Sequence, residues 1–215
     1  MGTRRSPCLT TAACIGSKSK DAGTPFGVQN AEFAEVIAGD DNRAAYAFLG
    51  TPTAGDTRSA DFPGIWHLYV AFTYNGGATW TTADATPADP VQRGCIWNQG
   101  GSNPCRNLLD FNDITVDKFG RVLVGYADGC TGSCVNDPSQ NASSSSGPAS
   151  AQDALATIAR QVGGRAPSTV RNSVRGAEPT KEAASFATVI RQAVSAAVLI
   201  ATDMMGTRCR ICASR

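Results

Sequence analysis

Eight cysteines and a single histidine bound the chemistry open to this chain of 215 residues. Six of the cysteines fall in local pairs, Cys8 with Cys14, Cys95 with Cys105 and Cys130 with Cys134. Each pair lies in a stretch of loop character containing Gly, Ser or Asn, so oxidation would staple a loop, as in proteins of oxidising compartments. The rival chemistry is zinc, held by Cys130-x3-Cys134 together with Cys209-x2-Cys212. It would draw ligands from two regions of unlike composition, with no histidine to help. A Ser-His-Asp nucleophile would depend wholly on His67, which stands inside the run IWHLYVAF, where a packing or surface role is the simpler reading. No metal motif, phosphate loop or dinucleotide fingerprint occurs, and the sequence asks for no cofactor.

The formal net charge of +1 gives no reason to expect nucleic acid or an acidic surface as partner. That balance hides a break near Gly164. Residues 1–164 carry 11 Lys/Arg against 15 Asp/Glu, whereas residues 165–215 carry 8 against 3. The first part also holds 14 of the 15 aromatic residues and 20 of the 22 glycines. The opening residues include basic side chains but no long apolar run, so no secretion signal is evident. The longest apolar-rich stretch, 193–201, is too short to span a bilayer. Residues 180–205 are Ala-rich and are expected to be helical or irregular. The tail from 165 onward reads either as a packed appendage or as sequence foreign to the rest, from a shifted reading frame or an unrelated fused end.

A repeat organises the first part. FAEVIAGDDNRAAYAF (33–48) and FNDITVDKFGRVLVGY (111–126) align without a gap at an offset of 78. Phe33 matches Phe111, Glu35 matches Asp113, Val36 matches Ile114, Arg43 matches Arg121 and Phe48 matches Tyr126. Each copy reads as strand, polar turn, strand. Two further strands follow the first copy, at 65–72 and 79–82, joined by Asn75-Gly76-Gly77, a turn that tolerates positive φ. Residues 157–160 would be the corresponding third strand of the second copy. Four antiparallel strands per repeat is the pattern of a propeller blade.

The stretch TYNGGATW asks for more than a turn. Thr73-x-Asn75-x-Gly77-x-Thr79-Trp80 resembles the Asp-box, S/T-x-D-x-G-x-T-W, of the sialidase-like (BNR-repeat) propellers, with Asn75 in place of the Asp. The wider region, about residues 25–162 and above all NLLDFNDITVDKFGRVLVGYADGC, is similar to secreted bacterial sialidase-like proteins. The resemblance implies an all-β fold: a partial β-propeller, one full four-stranded blade plus part of a second. Residues 1–24 would be a poorly ordered segment and 163–215 an atypical tail. In the family the acid ties the turn's own backbone and the Trp lies between neighbouring blades.

The resemblance also implies a site. Sialidases clamp a carboxylate with three arginines and use a Tyr nucleophile helped by a Glu, with an Asp as acid/base. Strand order puts every long loop on one face of the scaffold, at 50–64, 83–110 and 128–154, and that is where function is expected. Arg93, Arg106, Asp61, Asp110 and Asp128 lie in or beside those loops, and Trp97 offers an indole to a sugar ring. Tyr126 ends a strand near the same face, although its match to Phe48 also fits packing. Arg106 has a simple alternative partner in Asp110. Arg43 and Arg121 belong to the tight-turn face and read as structural. The expectation is a fragment of a secreted, extracellular sialidase-like glycoside hydrolase, inactive without the missing blades of its parent. The alternative is a non-catalytic propeller module that binds glycans or proteins.

Overall fold

The computed structural model describes residues 20–108, 111–140, 154–169 and 184–193. The described residues form nine strands and three short 3-10 turns, at Thr24–Phe26, Pro104–Arg106 and Gly132–Val135. The first sheet contains β1 (Asn30–Ala38), β2 (Ala44–Thr51), β3 (Ile65–Thr73) and β4 (Thr81–Asp84) in that order, and the short β5 (Gln92–Arg93) extends it beside β3. The second sheet contains β6 (Asp113–Val116), β7 (Val122–Asp128), β8 (Leu155–Gly163) and β9 (Ser185–Ala193), again in sequence order. Every pairing is antiparallel.

The two sheets repeat each other in register. Glu35 pairs with Ala47, Val36 with Tyr46, Ile37 with Ala45 and Ala38 with Ala44. In the second sheet Asp113 pairs with Gly125, Ile114 with Val124, Thr115 with Leu123 and Val116 with Val122, each residue shifted by 78. The turns close alike, Gly39 N–H donating to Arg43 O at 2.9 Å and Asp117 N–H to Arg121 O at 2.8 Å. The third strands follow suit, with Val70 opposite Ala47 in one sheet and Ile158 opposite Gly125 in the other.

Because side chains alternate across a strand, this register assigns each residue a face. Ala45, Ala47, Leu49, Trp66, Leu68, Val70 and Phe72 share one face of the first sheet. They form a single core with Ile114, Val122, Val124, Tyr126 and Ala159 of the second. Phe72 stacks on Phe186 of β9 at 6.2 Å, and β1 runs beside β6, where Asn112 donates to Phe33 O at 3.4 Å. Phe33 has φ 53 and sits at the bulge in β1 between Glu32 and Glu35. The other face of the first sheet carries Tyr46, Phe48, His67, Tyr69 and Ala71. Over it lie residues 20–28, with Phe26 5.0 Å from the Tyr69 ring and Ala22 O accepting from Thr82 Oγ1 at 2.6 Å. Residues 20–24, expected to belong to a poorly ordered segment, are therefore packed.

The Ala-rich tail departs from expectation. Its described part, Ser185–Ala193, is a strand and not a helix, paired along the whole of β8 with one bulge on each strand. An Ala-rich segment has helical propensity, but an open strand edge with unpaired backbone groups outweighs so weak a preference. The second sheet accordingly extends past the expected boundary at 162. The connector from β8 is integrated as well. Pro167 O accepts from Asp40 N–H at 3.0 Å, Ser168 N–H donates to Gly120 O at 3.4 Å, and Tyr74 Oη donates to Arg165 O. The guanidinium of Arg165 lies 5.1 Å from the Tyr74 ring centre.

This seal makes one glycine irreplaceable. Gly120 has φ +75, and a Cβ there would stand 1.8 Å from Ser168 O. Gly120→Ala is expected to lower stability by about 2–4 kcal/mol, combining left-handed strain with displacement of the connector. Gly132→Ala, at φ +59 with nothing within 4 Å, carries the strain alone and should cost about half as much. Urea unfolding of the two variants checks the difference; equal losses would remove the connector from the account.

Candidate functional site

The strands deliver tight turns to one end of the sheets and long connections to the other. At the turn end, Asn75 organises the β3–β4 turn with its own amide. Its Oδ1 accepts from Thr79 N–H at 3.0 Å and from Thr73 Oγ1 at 3.2 Å, and its Nδ2 donates to Thr79 Oγ1 at 2.9 Å. Thr73 Oγ1 in turn accepts from Gly77 N–H at 2.9 Å. Gly76 and Gly77 take φ of 68 and 85, and Gly76 N–H donates to Asn42 O at 2.8 Å, joining this turn to the β1–β2 turn. Thr73, Asn75, Gly77 and Thr79 are thus one hydrogen-bonded unit. An Asn can run it because every acceptor role of the carboxylate is met by the amide oxygen. Trp80 emerges from it half-buried, beside Gly77.

At the opposite end, residues 52–64, 85–108 and 129–140 are tied into one layer. Cys95 is bonded to Cys105 and Cys130 to Cys134, all four buried. Pairing in place of zinc is thereby settled for these four; Cys8, Cys14, Cys209 and Cys212 lie outside the described residues. Gln92 and Asn107 face each other with both amides satisfied, at 2.8 and 3.1 Å, and both are buried. Gly129 fits against this amide pair, where a Cβ would come within 2.4 Å of each. Glu32 reaches from β1 to accept from Thr57 Oγ1 at 3.3 Å and Asn98 Nδ2 at 3.0 Å. Trp66, fully buried, donates its indole N–H to Gly94 O at 2.8 Å.

The residues singled out for substrate binding lie in this layer but are engaged with the chain itself. Arg93 donates from Nε to Cys134 O at 2.8 Å and from Nη2 to Val135 O at 3.0 Å, so it clamps the Cys130–Cys134 loop onto β5. Arg106 donates from Nε to Gln99 O at 3.0 Å. Trp97 is half-buried and donates its indole N–H to Gly100 O at 3.2 Å. Asp61 is exposed. Asp110 lies outside the described residues. Arg43 and Arg121 pair with Asp40 at 3.6 Å and Asp117 at 2.8 Å at the turn end.

Asp128 is 1% exposed at the end of β7, with Oδ1 accepting from Cys130 N–H at 3.2 Å. Burial pushes its carboxyl up to about 7, against the opposing pull of that backbone N–H. Burial, and then the neighbouring Asp128, raises Tyr126 well above an ordinary phenol. Both trends work against a phenolate nucleophile at this position. His67 Nδ1 lies 2.8 Å from Thr86 O and 3.5 Å from Asp84 Oδ2. A carbonyl only accepts, so Nδ1 carries the hydrogen. Burial raises the Asp84 carboxyl, opposed by the Thr86 N–H and by His67. This triad fastens the end of β4 to β3, since Thr86 Oγ1 also accepts from Leu68 N–H at 3.0 Å.

Sequence reasoning did not single out a second feature, a groove between residues 20–28 and the outer face of the first sheet. It measures about 570 Å³ and is walled by Val28, Val36, Tyr46, Phe48 and Trp80, with Lys20 at its rim. The repeat held the signal: Tyr46 and Val36 match Val124 and Ile114, which are buried against a neighbouring sheet.

Comparison of the chain with protein-family models, with curated protein sequences and with solved structures found no match.

Two outcomes are expected from these sites. Asn75→Ala should lower stability by about 1–2 kcal/mol by opening the turn, whereas Asn75→Asp, which keeps the acceptor, should cost less than half as much. Denaturant titration separates the two, and equal losses would deny the side-chain oxygen its role. For Asp128, the folded chain holds a proton that the unfolded chain has released once pH exceeds its ordinary value of 3.8. Its contribution is therefore complete below that value and is lost as pH rises to about 7. Asp128→Asn removes the titration, so its melting temperature relative to the parent should climb between about pH 4 and pH 7 and then level off. A difference independent of pH would contradict the assignment.

Proposed function

We propose that the chain is a two-blade segment of a secreted sialidase-like β-propeller that binds glycans through its loop layer and does not cleave them by itself. The observation that carries the reading is the register. Two four-stranded antiparallel meanders share the pairing of their first three strands residue for residue, and an Asn75-centred turn of Asp-box type joins the last two strands of the first. Sheets that repeat in this way and pack face to face are the building units of propellers. The two disulfides suit an oxidising, extracellular setting.

Binding is favoured over turnover by what the candidate groups do. Arg93 is committed to two backbone carbonyls, Asp128 and Tyr126 are buried, and burial opposes ionisation of both. The loop layer is stiffened by two disulfides and the Gln92–Asn107 amide pair, which favours a preformed surface. Trp97, half-buried on that layer beside exposed Asn98 and Gln99, presents an apolar ring with polar neighbours, a combination suited to a sugar face.

The test pairs a fluorogenic sialoside with a glycan array. The chain should release no fluorophore above blank and should retain at least one class of glycan. Trp97→Ala should weaken that retention by about tenfold or more, the loss of about 1.4 kcal/mol, with far-UV circular dichroism unchanged. Turnover of the sialoside would overturn the binding reading, and an empty array would overturn glycan recognition.

A further inference from the structure

The repeat lets each side of the existing sheet-to-sheet contact be transferred to the faces that lie outside it. In the second sheet, the face turned to its neighbour carries Ile114, Val124 and Tyr126, all 5% exposed or less. The residues in register with them in the first sheet are Val36, Tyr46 and Phe48. Val36 is 64% exposed and Tyr46 is half-buried, whereas Phe48, 2% exposed, lies at the floor of the groove where residues 20–28 cover the sheet. At Val36 and Tyr46 the same register comes with opposite burial, so the part of this face left open beside residues 20–28 is suited to receive a sheet, as its counterpart does.

The complementary surface is the outward face of the second sheet. Register places Leu123, Gly125, Ala156 and Ile158 there, in the positions held by Ala45, Ala47, Leu68 and Val70 on the donating face of the first sheet. All four are half-buried, and Val162 on the same face is 48% exposed. The aromatic contact transfers too. Phe72 stacks on Phe186 across the existing interface. Phe186 pairs with Gln161 on β8, while the position one step beyond the Phe72–Thr81 pair on β4 is Trp80. Phe72 itself corresponds to Arg160, which pairs with Leu123 as Phe72 pairs with Ala45. Arg160 has its Nε buried without a hydrogen-bond partner among the described residues. Docking in the same geometry would bring the Arg160 guanidinium of one copy onto the Trp80 indole of the next, a favourable cation–π pair at a position that already hosts a ring stack.

We propose that the open Val36–Tyr46–Trp80 part of this face binds a second copy of this chain head to tail, through the copy's Leu123–Ile158–Arg160 face. Such a heterologous contact continues until it closes on itself. With two sheets per copy and about four to eight sheets in a closed propeller, two to four copies complete a ring. The proposal rests on the blade reading of the two sheets and is independent of glycan binding, which belongs to the loop end.

Sedimentation velocity on the full chain over a range of concentrations tests it. The chain of 22.3 kDa should sediment as a discrete multiple of its mass. Tyr46→Arg, which blocks the receiving face, and Ile158→Arg, which blocks the donating face, should each sediment as monomer. Mixed in equal amounts they should form a dimer, because one intact face of each kind remains. Trp80→Ala and Arg160→Glu form a milder pair with the same expected pattern, read if circular dichroism shows either arginine variant to be unfolded. A parent chain that stays monomeric would overturn the proposal. So would a self-associating parent whose two blocked variants never combine, since that is the signature of a symmetric contact through one face. Association without retention on the glycan array would remove the glycan reading and leave this one standing.

Discussion

A strand buried on both faces must have a neighbour on each side, and β3 is such a strand. From Leu68 to Thr73 every residue is buried, whichever way its side chain points. Leu68, Val70 and Phe72 are covered by the second sheet, and Tyr69 and Ala71 by the segment 20–28 and the aromatic rings of β2. The arrangement of the chain follows from satisfying both requirements. The first explains why two sheets share one core. The second explains why Phe26, from a short 3-10 turn before β1, is held against Tyr69.

The same double demand, carried through the repeat, sorts the side chains by duty. Residues at strand ends do the tying: Asn75, Asp117 and Arg121 at one end, Glu32, Gln92, Arg93 and Asn107 at the other. Residues in strand centres do the packing. The long loops, free of that task, are fixed by cross-links and buried amides, so the surface they present is rigid without being made of regular structure.

Much of this was legible in the sequence because it is local. The offset of 78 between 33–48 and 111–126 reappears as identical pairing, since hairpin register is set by turn length and alternation, both short-range. Cys95/Cys105 and Cys130/Cys134 were legible for the same reason: close pairs in loop-like stretches. What escaped was decided by distant partners. Residues 185–193 look helical alone and become a strand because β8 offers an edge. Arg93 and Arg106 were recognisable as loop arginines, but their carbonyl acceptors, at Cys134, Val135 and Gln99, were not encoded in spacing. Glu32 drew no notice because Thr57 and Asn98 stand 25 and 66 residues away.

The connector after β8 has a bearing on the order in which the molecule can mature. Asp40 accepts from Thr169, 129 residues further along the chain, and Gly39 abuts Pro167. The β1–β2 hairpin is therefore finished by residues that leave the ribosome long after it does. Until they arrive, its bend faces water unsealed. Contacts of such separation close late, after shorter loops have formed. The first sheet must pass through an interval in which its hairpins are paired but its rim is unfastened, and during synthesis that interval lasts at least as long as translation of β6, β7 and β8.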